Sequence, residues 1–200
     1  MKRTGAYTTP AIMVSIACLA ACSPGAHVNE QGASAAVQGA PSSPYTPRFV
    51  PTATIKELMD STVDPSADAL WDSVAIVYSD KGADERKPRT DEEWHAVRRH
   101  AVTLAEATNL LVMDGRHAAP QGTAPGAGEL APSEIDRRIA ANRPAFAEFA
   151  QGLRATAVKA LDAIDRKDSE ALLQVGGEID QACEACHVTY WYPDQAIPRT

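Results

Sequence analysis

Residues 168–193 read DSEALLQVGGEIDQACEACHVTYWYP, and the architecture of the whole chain is best read outward from them. Asp168 or Ser169 suits the start of a helix. Leu172, Leu173, Val175, Ile179 and Ala182 then recur at helical spacing and lead into Cys183-Glu184-Ala185-Cys186-His187. Residues i, i+3 and i+4 share a helix face, so Cys183, Cys186 and His187 point the same way. Gly176-Gly177 weakens this helix by roughly 1 kcal/mol per glycine relative to alanine. Such glycines permit close approach by a flat ligand or by another helix.

The residues upstream repeat the helical pattern. Thr54 and Glu57 have capping-box spacing, with Ile55, Leu58 and Met59 on one face. Asp64-Pro65 interrupts that segment, and Pro65 suits the first turn of a renewed helix. Ala67, Leu70, Trp71, Val74, Val77 and Tyr78 continue the helical spacing until Lys81-Gly82. A second capping box, Thr90 with Glu93, opens a helix bearing Trp94, Val97, Ala101, Leu104, Thr108 and Leu111, and Asp114-Gly115 stops it. Gly, Ala and Pro mark a loop up to Pro132. Ser133 and Asp136 open a third run, which Pro144 breaks or kinks. Beyond Pro144, Phe146, Phe149, Leu153, Val158, Leu161 and Ile164 form an apolar stripe. No strand alternation of useful length, no Gly-rich nucleotide loop and no fixed repeat is visible. The expected fold class is all-α, an antiparallel up-down four-helix bundle over residues 51–200.

Composition narrows the function. The chain has 200 residues and a net charge of −7, with 44% apolar residues. That is enough for one core, and the acidity argues against a nucleic-acid partner. Four cysteines are too few for a disulfide-dense scaffold. The acidic runs at 91–93 and 162–168 read as helix caps and solvated faces that a basic redox partner could use for steering.

Two cysteines belong to a leader. Lys2 and Arg3 precede an apolar stretch from Ala11 to Ala21 that falls short of the roughly 20 residues needed to span a bilayer. Leu19-Ala20-Ala21-Cys22 resembles a bacterial lipoprotein signal, in which Cys22 becomes the acylated first residue. An ordinary signal peptide cut near Ala21 or Ala26 is the alternative. Cys18 sits in a weaker match of the same kind. Residues 1–21 are thus expected to be a signal peptide. Residues 22–50, rich in Gly, Ala, Ser and Pro, are expected to be a lipidated cysteine and flexible tether. Ser23 after Cys22 resembles outer-membrane sorting, and the domain would face the periplasm.

The second pair carries the chemistry. Cys-x-x-Cys-His is the attachment signature of c-type haem: two sulfurs for two vinyl groups, and an imidazole for the iron. A thioredoxin-like pair would need a preceding strand and a helix N-terminus. A zinc site would need about four ligands, and His95 and His100 do not share one helix face. A structural disulfide would leave His187 without a role.

Placed on the last of four helices, this motif resembles the class II cytochromes c, the cytochrome c-prime and c-556 group, over roughly residues 51–193. The resemblance implies one covalent haem c, with thioethers from Cys183 and Cys186 and His187 as proximal iron ligand. Tyr190 matches an aromatic residue common in the family. Trp191 stands where the family often has a basic residue, so family-based redox estimates do not transfer. In the c-556 branch a methionine of the first helix is the sixth ligand, which puts Met59 in that role. The competing assignments are core packing for Met59, and ligation by Met113 or His100. The function implied is one-electron transfer with a periplasmic redox partner, with no enzymatic step. Five-coordinate binding of nitric oxide or carbon monoxide is the alternative, and an interaction lipoprotein without haem is a further one. Relatives often form homodimers. Trp71, Trp94 and Trp191 are candidates for the haem pocket, with core as the default for each. Arg143 and Arg154 are candidates for a propionate partner, with an exposed face as the alternative. His95 and His117 are expected to be solvated, and His27 lies in the tether.

Overall fold

A computed structural model describes residues 49–80 and 82–194. The expected leader 1–21, Cys22 and the tether up to residue 48 lie outside the described residues. The described chain is mostly helical.

Its first helical run has three parts: α1 (Ile55–Leu58), a π-helical turn (Met59–Val63) and α2 (Asp64–Ser73). Thr54 caps it as the spacing predicts, with Glu57 returning a hydrogen bond to the Thr54 backbone at 2.8 Å. Pro65 explains the π turn. Proline has no N–H for the carbonyl four residues back, and its ring crowds that carbonyl. The helix widens upstream, so that the Asp64 N–H reaches back to the Met59 carbonyl.

The helical spacing drawn through Val74, Val77 and Tyr78 does not hold. α2 ends at Ser73 and Val74 is extended, at φ −137° and ψ 123°. Ala75–Ser79 (β1) and Gly82–Arg86 (β2) form an antiparallel hairpin, Ser79 opposite Gly82 and Ala75 opposite Arg86. Ile76, Val77 and Tyr78 are β-branched or aromatic and favour a strand. Gly82 adopts φ +118°, which side-chain-bearing residues rarely reach.

α3 (Asp91–Leu111) carries the second capping box, and all six of its expected apolar positions are buried. α4 (Pro132–Ala141) starts without a side-chain cap, so Ser133 is not the cap its position suggests. Asn142 then breaks the chain and caps α5 (Arg143–Asp165), where Pro144 occupies the first turn. Asp168 caps α6 (Ser169–Tyr190) through the Ala171 N–H at 2.9 Å.

The helices pack through one large apolar cluster. Val63, Leu70, Leu104, Leu153, Leu172 and Ile179 belong to it. α5 lies against both α3 and α6, the first run lies against α3, and α2 also touches α6. The contact face of α5 differs from the expected stripe. Val158 is 42% exposed, whereas Ala150, Ala157, Ala160 and Ala163 are buried. Leu173 of α6 likewise faces outward. Gly176 is where α6 meets α2. The Trp71 indole N–H donates to the Gly176 carbonyl at 2.9 Å, and a Cβ at Gly176 would sit 3.2 Å from Trp71 Cδ1.

A smaller cluster joins Ile55, Leu58, Leu111, Ile135, Ile139 and Phe146 with Tyr190. The loop after α3 ties it together. The first N–H groups of α1 are satisfied there, Ile55 by His117 O and Lys56 by Ala118 O, both at 2.9 Å. Asp136 of α4 holds the same loop, accepting from Ala118 N at 2.7 Å and meeting His117 Nδ1 at 3.0 Å. His117 therefore has a specific partner, although its ring is largely solvated.

Gly177 has open space around its missing Cβ, unlike Gly176. Gly177→Ala is expected to stabilise the fold by about 0.8–1 kcal/mol in a urea titration. Gly176→Ala is expected to show no such gain, because the Trp71 ring must move; an equal gain at both sites would contradict the close contact. Asp136→Ala is expected to cost about 1–3 kcal/mol in the same titration, because the Ala118 N–H, buried in the loop, loses its acceptor.

Candidate functional site

A cleft of about 170 Å³ lies where the two apolar clusters meet. Cys183, Cys186 and His187 line it from α6, and Met59 lines it from the first helical run. Met59 packs against both clusters, Cys183 against the larger and Cys186 against the smaller. The four side chains named from sequence are thus brought to one place.

Local structure explains how each is presented. α6 is continuous through Tyr190, so the i, i+3, i+4 spacing puts both thiols and the imidazole on one face. The end of α6 is held by Leu130 N–H donating to Trp191 O at 2.7 Å. Tyr190 is buried edge-on to Phe146 and Phe149, at centroid distances of 5.3 and 5.8 Å. Met59 opens the π turn, whose start is fixed by the Thr54 cap and the loop bonds to Ile55 and Lys56.

The walls are mainly apolar. Val63, Leu111, Phe146, Phe149 and Leu153 contribute to them, and Phe146 and Phe149 follow the break at Asn142 that Pro144 only partly signals. Trp191 and Tyr192 close one side near the imidazole, with ring centroids 6.4 and 5.6 Å from that of His187. Trp71 and Trp94 do not line the cleft. Trp71 is bound to Gly176, and Trp94 is in the large cluster. Arg143 is engaged elsewhere, with Val112 O at 3.0 Å and Asp114 at 2.9 Å, and Arg154 is on an exposed face. Met113 accepts from the Arg116 guanidinium and His100 is exposed on α3; neither lines the cleft.

The electrostatics favour neutral thiols. Burial pushes Cys183 up to about 12, with Asp64, Asp180, Cys186 and Glu184 adding to the shift. Burial alone pushes Cys186 up to about 12. Both are free, half-buried thiols rather than a disulfide. Dithiol redox enzymes need the opposite shift, toward thiolate. Partial burial also raises Asp64, and His187 opposes that rise. Glu184 stands 3.7 Å from His187 Nδ1.

Among the described residues no group of three or more His, Cys, Asp or Glu side chains is arranged to hold a metal ion. The arrangement instead offers one imidazole, one thioether and two thiols around an apolar slot. No family model, no curated protein and no solved structure matches this chain.

Proposed function

We propose that this chain is a monohaem c-type cytochrome of the class II kind that transfers single electrons. It would be an antiparallel up-down four-helix bundle with haem c on its last helix and no enzymatic step of its own. One observation carries the reading: Cys183, Cys186 and His187 on one face of α6 and Met59 of the first helical run line the same apolar cleft. The ring of packed helices, α2 on α3, α3 on α5, α5 on α6 and α6 on α2, supports the bundle.

The residues fit the group. Cys183 and Cys186 would hold it through thioethers, each S–H adding across one vinyl double bond with no oxidant needed. His187 would supply the proximal nitrogen and Met59 the distal sulfur. Haem, when bound, supplies the ferrous/ferric couple. Phe146, Phe149 and Leu153 exclude water from the slot, and burial of this kind is one of the levers that set a haem potential. Trp191 and Tyr192 limit access to the imidazole side.

The location belongs to the same proposal. Cys22 would be acylated and anchor the protein to the membrane, with the outer membrane favoured by Ser23 and the bundle facing the periplasm and its redox partner. Among the described residues no helix is long and apolar enough to cross a membrane.

Visible spectra of the matured full chain test the reading. Oxidised and reduced protein is expected to show covalent haem, low-spin and unmoved by carbon monoxide. Met59→Ala is expected to give a high-spin, carbon monoxide-binding form. A carbon monoxide shift in the unaltered chain would replace electron transfer by gas binding, and absence of haem after maturation would end the assignment. Replacing either Cys183 or Cys186 by Ser is expected to remove one thioether, which the pyridine haemochrome band reports by shifting to longer wavelength.

A further inference from the structure

We infer that Lys56 is the cation that pairs with a haem propionate, and this rests on the haem reading above. A haem held through its vinyl groups by Cys183 and Cys186 presents its two propionates at the roughly opposite edge. Those carboxylates need a positive charge on the wall away from the cysteines. Among the described residues, Lys56 is the one lysine or arginine that lines the cleft. It stands on α1, across from α6, three residues before Met59 and so on the same helix face. Its backbone is fixed by the Ala118 carbonyl at 2.9 Å. Among the described residues no carboxylate is within ion-pair distance of its ammonium.

The remaining charged side chains of the cleft are mostly carboxylates. Asp60, Asp64 and Glu129 also line the cleft, and Tyr192 and His187 complete its titratable groups beside the two thiols. Asp64 acts electrostatically on Cys183, His187 and Tyr192, Glu129 acts on Tyr192, and Asp60 follows Lys56 by four residues. Lys56 lies eight residues before Asp64, on the order of 12 Å along the helix. A propionate beside any of these three carboxylates would meet like charge, and Lys56 is the counter-ion the cleft offers it.

The test uses the full-length, haem-loaded protein and its Lys56→Gln and Lys56→Arg variants, with Arg154→Gln as an exposed control. The reduction potential is followed optically against pH. Removing the cation is expected to raise the propionate's proton affinity about tenfold. The pH-dependent step of the Lys56→Gln profile therefore moves upward by about one pH unit. Lys56→Arg and Arg154→Gln are expected to keep the original profile. A Lys56→Gln profile that superimposes on that of the unaltered protein overturns the inference. So does a Lys56→Arg or Arg154→Gln profile displaced as far as that of Lys56→Gln. Haem missing from the unaltered chain would instead overturn the haem reading itself, so the two failures are distinguishable.

Discussion

The close fit of α5 between α3 and α6 is the constraint on which the rest depends. Ala157 and Ala160 have no exposed surface, and Ala150 and Ala163 have almost none. Small side chains let neighbouring helices approach, and an added methylene at such a contact typically costs about 1–3 kcal/mol through strain. Gly176 does the same where α6 receives the Trp71 ring. These contacts hold α6 in place as a rigid strut, and α6 carries both thiols and the imidazole. A cofactor site built on a packed helix is held more exactly than one built on a loop.

The cleft exists because the molecule has two apolar clusters rather than one. The first helical run borders both, and its π turn lies at their junction, with Met59 touching each. Pro65 supplies the physical cause of that turn. A local rule of backbone chemistry thus places the methionine beside the cleft, as π turns often do at functional sites. The loop after α3 and Asp136 then set where this helical run begins. A contact remote from the cleft therefore fixes the register of a side chain inside it.

Charge is distributed unevenly around this frame. The acidic runs that looked available for partner steering are largely engaged: Asp91 with Lys167, Asp165 with Arg98, and Asp162 with Arg166. Exposed pairs of this kind contribute little to stability. The cleft combines half-buried thiols, whose pKa burial raises, with carboxylates and one lysine. That chemistry is unlike a thiol–disulfide centre, which depends on a depressed thiol pKa.

Much of the fold was legible in the sequence, for a definite reason. Capping boxes at Thr54 and Thr90, the Asp168 cap and the face of α3 are local signals, governed by 3.6-residue periodicity and hydrogen bonds between near neighbours. The placement of Cys183, Cys186 and His187 on one face also follows from helix geometry alone. The hairpin was misread because Val74, Val77 and Tyr78 happen to fit a helical period, while β-branching and the Gly82 turn decide for strands. The α5 face was misread because bulky residues were counted and alanines were not. Only the tertiary structure brings Met59 to the cysteines and sends Arg143 and Trp71 elsewhere. It also leaves Lys56 alone among carboxylates in the cleft. Those are contacts between residues far apart in the chain, set by how helices pack, and no local periodicity encodes them.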